Sequence, residues 1–483
     1  MSLVTSQPVG EDGFFMLLLA PGRAETPSVR RDLVAVLDVS GSMSGDKLDQ
    51  AKTALAQLLG TLRSGDRFRV VTFGSGVRRY AAGWTEVAGD NVRTAQEWVR
   101  RLDTDGGTNI AGALAEAFAE PPTGGGLGVV VFLTDGMATV GETNPERIAD
   151  QAERGRGPFR VFAFGIGYDV NTYLLDRLTE RARGVTEYIR PGGDIEQTVA
   201  SLASKIASPV LTDLALRADG VELYDLQPQS LPDLFGGDEL VVFGRYRGEG
   251  RGERSVTVIG RRGGHEERFS TVARFGSEQP GADYVQQLWA ARKAGALSSD
   301  IRLHGPNPEI VSELKRLALR YGILTEYTSY LVQEPNAVAR PMPLRAPAPA
   351  AQAGEGAVQR SEAARKLAGS VSLDAIIVTP SGESINAGTR GDGTRRLGGR
   401  MFVLRDGVWT DIAHGDSLPV VNVAAFSDAY FALLRGLPEL AQAATLEPAV
   451  LVAGGRVSIK IGASGKTDWA SGELAKLVSD FRS

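Results

Sequence analysis

Cysteine is absent from the 483 residues, which excludes disulfides, thiolate metal sites and cysteine nucleophiles but leaves the compartment open. Histidine is scarce. His265, His304 and His414 are the only three; they lie too far apart for metal-ligand spacing and read as exposed or core-edge side chains. No long apolar run is present near the start. The longest there, Phe14 to Ala20, falls far short of the ~20 residues of a membrane-spanning helix. It follows Glu11 and Asp12, where a secretory leader would carry positive charge, so it reads as a buried strand. An excess of basic residues is missing as well. The chain has 53 Lys+Arg against 58 Asp+Glu, a formal charge of −5. Pairs such as Arg30-Arg31, Arg78-Arg79 and Arg100-Arg101 are scattered, so nothing attracts nucleic acid or an anionic membrane.

What remains is an ordinary globular composition, 42% apolar and 23% charged, on a length that suits two to four domains. Glycine is abundant, with 59 residues, which implies many turns. From residue 31 to about 207, β-branched runs alternate with amphipathic stretches. Strands are expected at Asp32–Leu37, Arg67–Phe73, Gly128–Leu133, Phe159–Gly165 and Val185–Ile189. Between them Leu48, Ala51, Leu55, Leu58, Leu59 and Leu62 recur at helical spacing, as do Ile110, Leu114 and Phe118. Strands alternating with helices imply right-handed crossovers and an α/β fold, a doubly wound and mostly parallel sheet. Such sheets bind ligands beyond the carboxyl ends of their strands.

After Ser208 the texture changes. Val210–Leu216, Glu239–Tyr246 and Arg254–Ile259 suggest an antiparallel β unit, followed by helices at Ala282–Ala294 and Pro308–Tyr321 and an extended piece at Thr325–Gln333. The Pro- and Ala-rich stretch that follows can bury little and reads as a mobile linker. The expected domains are therefore 1–207, a β-rich plus helical unit at 208–335, a linker at 336–370 and an α+β unit at 371–483. The last unit should hold strands at Arg400–Leu404 and Val457–Ile461 and helices at Ser427–Leu434 and Ser471–Phe481.

The sharpest chemical signal is Asp38-Val39-Ser40-Gly41-Ser42-Met43, directly after the strand ending at Leu37. A carboxylate and two hydroxyls at alternate positions on such a loop can converge on one point, and hard oxygen donors suit Mg²⁺. Neutral serines leave the ion under-neutralised, so an incoming carboxylate could complete an octahedral shell. Two further pieces have matching chemistry. Gly106-Gly107-Thr108-Asn109 stands before a helix, and Thr134-Asp135-Gly136 ends an apolar strand that should neighbour the first. Asp135 would then share the crevice of Asp38.

Asp38-x-Ser40-x-Ser42 with a distant Thr108 and Asp135 resembles the metal-ion-dependent adhesion site of von Willebrand factor A domains. The resemblance implies that Ser40 and Ser42 bind the ion directly, that one or both of Asp38 and Asp135 act through water, and that Thr108 binds directly or through water. It also implies that a partner's Asp or Glu fills the sixth position; Mn²⁺ or Ca²⁺ could replace Mg²⁺. A second resemblance lies downstream. Leu231-Pro232-Asp233-Leu234-Phe235, Val242-Phe243-Gly244-Arg245-Tyr246 and the segment Tyr321–Val332 look like the region after the A domain in inter-alpha-trypsin inhibitor heavy chains and their bacterial relatives. These positions read as core packing. In that family a β-rich VIT module normally precedes the A domain. With 31 residues ahead of Asp32, it is expected to be missing from this chain. Phe402 to Trp409 resembles the tail of the bacterial relatives.

Other motifs carry little. Gly415-Asp416-Ser417-Leu418 spells an esterase opening, but no histidine follows His414. Gly462-Ala463-Ser464-Gly465-Lys466-Thr467 would need its first glycine at the position of Lys460 to form a phosphate loop. The leading expectation is a non-enzymatic, Mg²⁺-dependent protein-binding protein whose partner presents an acidic side chain. An accessory subunit of an ATPase-driven remodelling or metal-insertion machine is the alternative. A metal-dependent hydrolase would need a base beside the metal, and no histidine falls within 1–207. Oligomeric state and localisation are left open.

Overall fold

The computed structural model describes the chain except for residues 9, 22–28, 207–208, 236–237, 249–251, 263–264, 277–281, 324, 326, 328–350, 371–393, 398–399, 406, 412, 416–417 and 483. The chain opens with β1 (Ser2–Ser6) and β2 (Gly13–Leu19), then β3 (Arg31–Asp38), α1 (Asp46–Gly60), β4 (Arg67–Phe73), β5 (Val77–Arg79) and β6 (Thr85–Glu86). Next come α2 (Asn91–Arg100), α3 (Ile110–Phe118), β7 (Leu127–Thr134), α4 (Pro145–Gly155), β8 (Arg160–Ile166), α5 (Thr172–Glu180), β9 (Thr186–Ile189) and α6 (Ile195–Ile206).

Apolar runs without alternation suit strands buried on both faces, and these form one sheet. Its order is β5-β4-β3-β7-β8-β9; β4, β3, β7, β8 and β9 run parallel, while β5 and β6 pair antiparallel with β4. Side-chain alternation divides β3 between two cores. Leu33, Ala35 and Leu37 face one with α1 and α6, while Val34 and Val36 face the other with α3, α4 and α5. The chain winds from β3 to β4 on one side and resumes with β7 on the other. The switch point therefore lies between β3 and β7, where ligands collect in such sheets.

Nine further elements follow: β10 (Pro209–Ala218), β11 (Glu222–Gln227), β12 (Leu234–Phe235), β13 (Leu240–Arg247), β14 (Gly252–Arg262), β15 (His265–Phe275), α7 (Asp283–His304), α8 (Pro308–Tyr321) and α9 (Glu355–Ala368). The strands build two antiparallel sheets, β1-β2-β13-β11 and β12-β10-β14-β15, around Phe15, Leu17, Leu19, Leu240, Val242, Val256 and Val258. Here the domain boundary at 1–207 needs correction. Residues Phe14 to Leu19 are a buried strand, but β2 pairs with β13, with Leu17 opposite Val242 and Leu19 opposite Leu240. The first 19 residues thus belong to the downstream β unit, and the parallel-sheet domain is inserted between its strands.

The linker at 336–370 also changes. Its Pro-rich part and most of Thr325–Gln333 fall outside the described residues, but 351–370 are ordered structure. Glu355–Ala368 has helix formers without proline, and its first turns dock on α5. Thr172 donates from its N–H (2.8 Å) and its hydroxyl (3.0 Å) to the Gln352 carbonyl, and Gly354 donates to the Tyr168 carbonyl (2.8 Å). Ser361 donates to Asp176 (2.5 Å), Arg190 pairs with Glu362 (3.1 Å), and Val358 is buried in the core beside the parallel sheet. Val358→Asp would bury an unpaired carboxylate at a cost of several kcal/mol. It is expected to release the segment, so that hydrogen exchange at 172–180 and 355–362 quickens about tenfold or more while β3 and β7 keep their protection.

Two compact units emerge, 1–286 with 349–362 and 287–348 with 363–483. The second contains α7, α8 and a six-stranded mixed sheet built from strands between Thr394 and Gly462, packed against the helices Asp428–Gly436 and Glu473–Arg482. Among the described residues no helix is long and apolar enough to cross a membrane.

Candidate metal centre

Asp38 is the last residue of β3, at the switch point, and its side chain is fully buried. Its Oδ1 accepts from the Ser40 N–H at 2.8 Å and its Oδ2 from the Thr134 hydroxyl at 2.6 Å. The first bond folds the loop back on its own strand, and the Gly41–Met43 turn follows. That turn carries Ser42 Oγ to 3.2 Å from Ser40 Oγ. Ser42 Oγ in turn donates to Asp135 Oδ1 at 2.7 Å, across from β3 to the end of β7.

The loop holding Thr108 is fixed by the backbone. Gly41 donates to the Gly106 carbonyl (2.9 Å), Asp105 to that of Val39, and Asn109 to that of Gly74 (2.9 Å). Gly74 has to be glycine, because a Cβ there would lie 1.9 Å from the Asp105 carbonyl oxygen. Asn109 caps α3 by accepting from Gly112 at 2.9 Å, which sets the loop's exit. Thr108 donates its N–H to Thr139 Oγ1 at 2.8 Å. A Cβ placed on Gly136 would lie 3.7 Å from Ser42 Oγ and 3.8 Å from Thr108 Oγ1, so both hydroxyls line the same space. Asp38, Ser40, Ser42, Thr108 and Asp135 are thus brought together from three loops.

Their spacing suits a small cation. Adjacent corners of an octahedron with bonds near ~2.1 Å lie about 3 Å apart, and the Ser40–Ser42 and Ser42–Asp135 oxygen pairs stand at 3.2 and 2.7 Å. Among the described residues no trio of histidine or acidic side chains forms an alternative cluster. Electrostatics favour positive charge here. Burial pushes the Asp38 carboxyl above the usual aspartate range, hydrogen bonds from Ser40 and Thr134 oppose that shift, and the Asp135 charge adds to it. Two buried carboxylates side by side want a cation between them.

Two participants do not stand out in the sequence. Thr134 appears there only as part of Thr-Asp-Gly, yet its hydroxyl ties β7 to Asp38. Lys47, in the first turn of α1, places its ammonium 2.7 Å from Asp135 Oδ2. Its signal was a lone lysine five residues beyond Ser42, which is indistinguishable in sequence from a solvated helix start.

Residues 31–188 match the family model described as von Willebrand factor type A domain. The chain therefore contains a domain of that class, carrying this arrangement at the carboxyl rim of its sheet. Its curated relatives are inter-alpha-trypsin inhibitor heavy chains. The human heavy chain H4 is 27% identical over 345 residues, covering 68% of this chain and 37% of the relative. Heavy chain H1 of Mesocricetus auratus is 26% identical over 343 residues, covering 67% and 37%. The chain thus spans little more than a third of the length of these relatives. Among solved structures, a von Willebrand factor type A protein from Catenulispora acidiphila aligns over 70% of this chain and 90% of its own, with 19% identity and a TM-score of 0.49.

Proposed function

We propose that this chain is a cation-dependent protein-binding protein and not an enzyme. Mg²⁺ would be held at the rim by Ser40, Ser42, Thr108, Asp38 and Asp135, and a partner's Asp or Glu would complete the shell. One observation carries the reading: Ser40, Ser42, Thr108 and Asp135, from three separately anchored loops, gather at the switch point beside the buried Asp38, and only two of these five oxygen-bearing side chains are charged. When bound, the ion supplies an electron-pair acceptor for an external carboxylate. The protein's own contribution is preorganisation: Thr134 and the Ser40 N–H hold Asp38 still, and the Gly41–Gly106 bond holds the serine loop against the threonine loop. The domain class and the heavy-chain relatives support a role in protein interaction.

The test is isothermal titration of the metal-free chain with Mg²⁺, beside Asp38→Asn. The variant should lose at least about 100-fold in affinity, since a missing hard anionic ligand costs several kcal/mol. Its metal-free fold should be as stable as the wild type or more so, because Asp38 is buried with its charge disfavoured. Equal heats from the two proteins would end the proposal.

A further inference from the structure

Every carboxylate oxygen of the rim site already has a partner. Asp38 uses both of its own on Ser40 and Thr134, and Asp135 uses Oδ1 on Ser42. The fourth oxygen, Asp135 Oδ2, is taken by the Lys47 ammonium at 2.7 Å, and this nitrogen also lies 3.4 Å from the Ser42 carbonyl. The Asp135 side chain is fully buried, whereas that of Lys47 is 40% exposed. An ammonium bonded to a buried carboxylate compensates part of its desolvation. It also repels any second cation brought within a few ångströms, at short range and in a partly dry setting where screening is weak.

We propose that Lys47 is a built-in competitor for the divalent ion: its ammonium neutralises Asp135 in the metal-free protein and must yield that oxygen, or tolerate the ion's charge, when the metal enters. This inference rests on the metal-binding reading above. Lys47 reaches Asp135 only because α1 begins three residues after Met43, which aims its first turn back across the end of β7. A side chain that merely props up the loop would weaken metal binding when removed; a competitor would strengthen it. The sign of the effect separates the two roles.

The experiment is calorimetric titration of the full chain with Mg²⁺, and thermal unfolding with and without it, for the wild type, Lys47→Gln and Lys47→Arg. Lys47→Gln should bind Mg²⁺ about tenfold more tightly and unfold at a lower temperature in chelator, so that its stabilisation by metal grows. Lys47→Arg keeps the charge and should stay within about twofold of the wild type. Equal or weaker binding by Lys47→Gln overturns it while leaving the metal site standing. If neither protein responds to Mg²⁺, the metal-binding reading fails and this proposal fails with it.

Discussion

Replacing Asp66 with alanine is expected to destabilise the first unit by about 3–5 kcal/mol, the scale for breaking one partner from a buried ion pair. Asp66 sits just before β4, at the amino-end rim of the sheet and opposite the metal site, beside Arg31 at the start of β3. Both side chains are less than a tenth exposed. The carboxylate accepts four donors: Arg31 N–H at 2.8 Å, Arg31 Nε at 3.0 Å, an Arg31 terminal nitrogen at 2.6 Å and Arg63 N–H at 2.9 Å. Without it the guanidinium keeps, among the described residues, the Thr61 carbonyl at 2.6 Å. A buried cation would then lack its counter-charge, and two backbone donors would lose their acceptor. Asp66→Asn retains acceptor oxygen without charge and should lose less. Urea unfolding checks both, with the midpoint moving and the slope constant. Seven residue steps of extended strand, roughly 23 Å, separate Arg31 from Asp38, so Mg²⁺ affinity should be unchanged. A loss below about 1 kcal/mol would show that the pair is not as desolvated as the structure has it.

The parallel sheet was legible because its strands announce themselves. Leu33–Leu37 and Val129–Leu133 are apolar without alternation, which only a doubly covered strand tolerates. Once such strands are adjacent and parallel, residues just past their carboxyl ends must meet. For that reason Asp38, Asp135 and the threonine loop could be grouped from sequence alone. Non-local choices stayed hidden. β2 was visible as a strand, but its partner β13 lies more than 200 residues away, and nothing in Phe14 to Leu19 names it. Docking of 351–362 depends on one valine entering the core beside the parallel sheet and on a glutamine carbonyl meeting Thr172. Composition averages such specifics away, which left a helical stretch merged with the Pro-rich residues before it. Lys47 was hidden in the same manner, since its reach to Asp135 is a property of where α1 points.

The segment Leu231–Phe235 illustrates the same limit, and Asp233→Ala is the substitution that exposes it. In sequence these five residues read as core packing, and Leu231, Leu234 and Phe235 are indeed buried. Asp233 does something else. Its fully buried carboxylate accepts from Arg160 Nε of β8 at 2.7 Å, from Arg183 at 3.2 Å and from the Asp213 N–H of β10 at 3.0 Å. It therefore ties the amino end of the parallel sheet to the first strand leaving it. Nearby, Phe235 meets Phe162 edge-on at 6.3 Å between centroids. Asp213 adopts φ +55°, a left-handed conformation that an aspartate tolerates at modest cost, and its bonded N–H helps fix it there. Alanine at 233 removes three acceptor contacts at once. Arg160 and Arg183 keep Asp213, at 3.0 and 2.7 Å, and Arg183 is partly exposed. The loss should accordingly fall below that at Asp66, at about 2–3 kcal/mol. Its location should be more telling than its size. Hydrogen exchange is expected to quicken first in β10 and β12, while β3 and β7 keep their protection and Mg²⁺ binding at the opposite rim keeps its affinity. Unchanged exchange in β10, with stability within about 0.5 kcal/mol of the wild type, would mean that the apolar contacts of Phe235 alone hold the junction.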